Sequence, residues 1–97
     1  MFQAIALGLL AGLFLANGVP HFFRGIVNER YPMVFGSGPV PNLIAGWGSF
    51  VIGVLLLAAA DLGAEPVAGG AALALGVLLM GLFHAAGLAF GVASERS

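Results

Sequence analysis

The chain has no cysteine, and among its 97 residues only three side chains are basic and four acidic. Without cysteine there is no disulfide framework, no thiol nucleophile and no cysteine metal site. So few basic residues exclude a nucleic-acid partner, whose phosphates require a cationic face. A water-soluble domain carries roughly 25% charged residues because its surface must be wetted. Here charged residues make up 7% and hydrophobic ones 61%, and mean hydropathy is +1.11. The solvent that stabilises such a composition is the bilayer. A cleavable leader is not expected either. "MFQ" has no basic side chain and "LFLANGVPH" is a poor small-x-small cleavage site, so the first apolar run is expected to stay as a helix.

What is present falls into three apolar runs separated by the charges. Arg24, Glu29 and Arg30 lie after the first run, Asp61 and Glu65 after the second, and Glu95 and Arg96 at the end. The pattern predicts a single all-α membrane domain over 1–97, with helices over about 2–23, 43–60 and 67–92. At 1.5 Å per residue these reach roughly 33, 27 and 39 Å against a hydrocarbon core of about 30 Å. The third therefore needs to tilt or project. Helices are favoured over strands because they satisfy every backbone hydrogen bond within the segment.

Orientation follows from the arginines. Arg24 and Arg30 in the first loop and Arg96 in the tail lie on one side of a three-span chain, and the second loop has no Lys or Arg. The positive-inside rule then places the amino terminus outside and the carboxy terminus in the cytoplasm. "DLGAEP" reads as a tight turn joining helices 2 and 3 as an antiparallel hairpin, with Gly63 in a left-handed cap and Pro66 in the first turn. The three prolines of "NERYPMVFGSGPVPN" forbid a continuous helix there, and Asn42 is placed to cap helix 2. Tyr31, Met33, Val34 and Phe35 are too apolar for a free linker, so this loop is expected to lie back on the bundle or in the interface.

"ANGVPHFFRG" gathers polar groups at the end of the first run: Asn17, His21 and Arg24, spaced by four and three. On a helix they share one face. Measured from Phe23, His21 lies roughly 3 Å and Asn17 about 9 Å inside the membrane edge. Arg24 can snorkel to the headgroups. Taken from a helix end at residue 92, His84 sits about 8 Å inside the same edge. Asn17 and His84 are thus expected to face each other, with His21 and Arg24 extending a polar wedge outward beside Trp47. Two readings stay open. Asn17, His21 and His84 hold the helices in register through hydrogen bonds worth about 0.6–2 kcal/mol each, or they mark a proton, ion or cofactor site. Pro20 adds a demand, because it leaves the carbonyl of Ala16 without its usual donor.

No cofactor is required by these residues. A haem or pigment held by His21 and His84, with Gly18, Gly81, Ala85 and Gly87 making room, is the weaker alternative. Zinc would want a third ligand, and Glu29 is the only charged candidate nearby. Small residues recur at four-residue spacing: Gly8 and Gly12, flanked by Ala4 and Ala16, in helix 1; Ala45, Ser49 and Gly53 in helix 2; Gly87 and Gly91 in helix 3. Such stripes let backbones approach in lipid, and one stripe is expected to remain for another subunit.

Asn17, Gly18, Pro20, His21 and Gly25, followed by Asn42, Trp47 and Gly48, form a pattern that resembles a family of short bacterial integral membrane proteins of uncharacterised function. In that family an Asn-Gly-x-Pro-His segment ends helix 1 and a Pro-x-x-Asn and Trp-Gly segment opens helix 2. The likeness covers the first half of the chain. It implies a bacterial inner-membrane location and no known activity. Together the residues point to a multi-pass protein acting through helix contacts, as a homo-oligomer or as an accessory subunit of a membrane complex. The rival is an oligomeric transporter or channel for protons or small solutes lined by Asn17, His21 and His84. Catalysis is not expected, since no nucleophile, carboxylate pair or metal triad is assembled, and Asp61 and Glu65 lie across the membrane from the histidines.

Overall fold

The computed structural model describes residues 1–33 and 36–87. The described residues form three helices, α1 (Phe2–Ile26), α2 (Pro39–Ala60) and α3 (Pro66–Ala85). Each is long and apolar enough to cross a membrane. At 1.5 Å per residue they span about 37, 33 and 30 Å.

The helix ends differ from those read off the sequence, for local reasons. α1 runs through Pro20 and stops where Asn28 takes a left-handed conformation, φ 61°. The Glu29 amide then donates to Arg24 O (2.8 Å) and the Asn28 amide to Gly25 O (3.1 Å), the paired bonds of a Schellman ending. α2 begins at Pro39, so Asn42 lies inside the helix and does not cap it; Gly38 occupies the cap position. Prolines 39 and 41 are tolerated because first-turn amides have no acceptor within the helix. After α2 the left-handed residue is Asp61, φ 55°, rather than Gly63. Pro66 opens α3 as expected. α3 ends at Ala85, not at 92: Gly87 adopts φ 78° and its amide returns to His84 O at 2.9 Å. Gly87 is thus a helix ending rather than part of a packing stripe. Gly91, Glu95 and Arg96 lie outside the described residues, as do Val34 and Phe35.

α1 is the middle helix. α2 packs antiparallel and α3 parallel along it, and α2 and α3 barely touch each other. The turn between them therefore does not make a packed hairpin. What α1 offers both neighbours is smallness. Its buried residues are Ala4, Gly8, Ala11, Gly12, Gly18 and His21. A Cβ on Gly12 would run into the Leu73 carbonyl oxygen, and one on Gly76 into that of Leu9. On the other side a Cβ on Gly18 would come within 2.9 Å of Gly46 O. At Gly53 it would meet the Leu15 side chain at 2.6 Å. Ser49 Oγ donates to Phe14 O at 2.5 Å, and Gln3 Nε2 to Ala59 O at 2.7 Å, fastening α2 to α1 at mid-length and near one end.

Large apolar side chains point the other way. Phe2, Val40, Trp47, Leu55 and Val67 are all exposed. Small residues inside and large ones outside reverse the pattern of a soluble core and suit a bundle whose surroundings are lipid. The stripes of Gly8 and Gly12, and of Ser49 and Gly53, are consumed within the chain.

Candidate functional site

The polar groups converge where α1 and α3 end and α2 begins. Their centre is Asn42, which is fully buried. Its Nδ2 donates to Tyr31 O (2.8 Å) and Gly38 O (2.9 Å), and its Oδ1 lies 2.7 Å from His21 Nδ1. These bonds determine the chemistry of the histidine. Both amide protons of Asn42 go to carbonyls, which only accept, so Oδ1 must accept from an Nδ1–H of His21. Nε2 is then the basic nitrogen. No buried side-chain nitrogen or oxygen among the described residues lacks a partner, so Nε2, which has none there, reaches accessible surface.

Tyr31 roofs this pair. Its ring meets the His21 ring edge-on at 5.2 Å, and the Arg24 guanidinium lies 5.5 Å from its centroid. Burial pushes the Tyr31 phenol above its ordinary range, and the positive charge of Arg24 offsets part of the rise. Arg24 also bonds Glu29 at 2.6 Å. Both side chains are about half exposed, so this ion pair is worth no more than about 1 kcal/mol. The Tyr31 amide donates to Ser37 O at 2.9 Å within the loop, and the bond from Asn42 Nδ2 to Tyr31 O ties the loop to α2.

His84 stands beside His21, not beside Asn17. The two imidazoles are 6.0 Å apart and nearly perpendicular. The His84 Nδ1–H donates to Met80 O, one turn back, at 3.0 Å. No hydrogen bond joins His84 to Asn17. The expected pairing rested on a depth measured from residue 92. With α3 ending at Ala85, His84 belongs to the last turn and rises to the level of His21.

The remaining candidates separate. Asn17 is half-buried, makes no side-chain hydrogen bond among the described residues, and lines a cleft with His21, Ala45 and Ser49. His84 lines another groove, about 510 Å³, with Ala16, Pro20, Tyr31 and Gly81, which has no residue in common with the first. Trp47 is 59% exposed and lies with Phe22, Ile26 and Ile44 on the outside of the bundle, away from the histidines. Five residues beyond Asn42 it is rotated by about 140° on the helix, so when one is buried the other faces outward. Gly18 makes no room for a ring, since the Phe50 ring and Gly46 O already cover it. No cluster of three His, Asp or Glu side chains suited to a metal occurs among the described residues.

Sequence reasoning missed Asn42 as the hub and Tyr31 as the roof. One signal was available, because Asn42 is the only amide within the second apolar run. Compared with known proteins, the chain matches no family model, no curated protein and no solved structure.

Proposed function

We propose that this chain is a small bacterial inner-membrane protein that works by helix contacts, either with copies of itself or as an accessory subunit of a larger membrane complex. The observation that carries this reading is the open arrangement of the three helices. Among the described residues α2 and α3 each have only α1 as a substantial neighbour, and only 11% of the apolar stretch of α3 is buried. Gly70 and Gly81 on α3 would meet nothing within 4 Å among the described residues if given a Cβ, so their small surfaces serve no contact there. The rival reading, a path lined by Asn17, His21 and His84, is less well supported, because these side chains open into two separate clefts.

Two outward-facing glycines supply the test. Gly70→Ile and Gly81→Ile should leave the single chain folded but lower the mass of the complex purified in mild detergent, as measured by native mass spectrometry. An unchanged mass in both variants would remove the support for assembly through α3.

The proposal includes an orientation, with the amino terminus outside. It predicts that Ser37→Cys resists an impermeant thiol reagent in intact cells while Ala64→Cys reacts. The loop carrying Ser37 also carries Arg30 and follows Arg24 in the last turn of α1, whereas the turn carrying Ala64 has no basic residue. Labelling of Ser37→Cys from outside reverses the assignment.

A further inference from the structure

We infer that the cleft between α1 and α2 is a binding site for a membrane-dissolved aromatic hydroxyl compound, of the benzoquinol class. The cleft measures about 280 Å³ and is lined by Phe14, Asn17, His21, Met33, Gly48 and Ile52, among others. Its polar lining residues are Asn17, His21 and Ser49, and the Ser49 hydroxyl proton is already given to Phe14 O. Asn42 fixes the His21 proton on Nδ1, so Nε2 can only accept. The His21 residue is 9% exposed, which leaves its ring held by the bundle and not free to turn. Asn17, one turn away on the same face, has an amide without a hydrogen-bond partner among the described residues.

This pair selects its ligand by polarity. A hydroxyl can donate to Nε2 and accept from Asn17 Nδ2 at once. A carbonyl can only accept, and would set its lone pairs against that of Nε2. The walls select shape. Gly48 leaves space, with nothing within 4 Å of where its Cβ would stand, while Phe14 and Met33 offer a ring and a thioether that favour contact with a flat aromatic face. The surrounding helices face lipid, so such a ligand enters from the bilayer.

The experiment uses the whole chain in lipid nanodiscs with ¹⁵N-labelled histidine. It is titrated with a short-chain benzoquinol, with its oxidised quinone and with decanol. The expected result is a saturable upfield movement of the His21 Nε2 resonance with the quinol, while the His84 resonances stay in place. The quinone, which lacks the hydroxyl, should give no such movement, and decanol should not saturate. Asn17→Leu, which removes no hydrogen bond among the described residues, should weaken quinol binding about tenfold. Gly48→Leu should abolish it by filling the cleft. The inference is overturned if the quinol moves nothing or moves His84 equally, or if the quinone or decanol saturates in its place. It also fails if both variants bind like the parent.

Discussion

Gly12→Ile is expected to cause the largest loss of stability of any single substitution on α1. Two effects oppose each other. Replacing glycine in a helix interior gains about 0.5 kcal/mol of propensity. Against this, the new Cβ would overlap the Leu73 carbonyl oxygen and stand 3.0 Å from Val77 N. These are backbone atoms, which cannot rotate aside, so α1 and α3 must separate along their whole contact. Overpacking of this kind costs about 1–3 kcal/mol or more, and the clash wins. Gly48→Ile provides the control, with the same gain in propensity and nothing within 4 Å. The midpoint of SDS-induced unfolding in mixed micelles should fall sharply for Gly12→Ile and stay level or rise for Gly48→Ile. Equal midpoints would mean that close approach at Gly12 contributes nothing.

Asn42→Leu should have the second large effect. It preserves bulk but removes the side-chain bonds to Tyr31 O, Gly38 O and the His21 Nδ1–H together, although Gly38 O keeps the backbone amide of residue 42 as a donor. A buried polar group left without a partner costs about 1–3 kcal/mol. Hydrogen bonds inside membranes average nearer 0.6 kcal/mol, because separated helices find other partners. Three bonds at a fully buried side chain then come to about 2–4 kcal/mol. His21→Leu breaks only one of them and should cost less. In a His21→Leu background, Asn42→Leu should lose the share that belongs to the pair, a coupling read directly by a double-mutant cycle. If the two single variants prove equally destabilising, Asn42 is not the hub.

The two glycines and the asparagine also show what the sequence could and could not tell. The number of helices was legible, because apolar runs set apart by the few charges leave no other closed backbone in lipid. The closeness of Gly8, Gly12, Ser49 and Gly53 to a neighbouring helix was legible from their spacing. Which helix they would meet was not. In a chain with 16 glycines, many small-residue faces are equally plausible until α1 is known to lie in the middle. Helix ends were the weakest point. Proline breaks a helix interior but opens a first turn, and "GPVPN" does not say which applies. Gly87 could equally have been one more small residue within a helix, and only its positive φ makes it the stop. That single ending moved His84 from the level of Asn17 to that of His21.

The inside-out packing has a thermal consequence. Among the described residues the four buried hydrophobic ones are all alanines, Ala4, Ala11, Ala60 and Ala72. Pulling α1, α2 and α3 apart within a bilayer would therefore expose little apolar surface, and expose it to lipid rather than to water. The heat capacity increment that bends the stability curve of a soluble domain arises from wetting apolar surface, about 0.45 cal/K/mol per Å². With that source removed, the packing of these helices should weaken almost linearly with temperature, with no optimum near room temperature and no cold-unfolding branch.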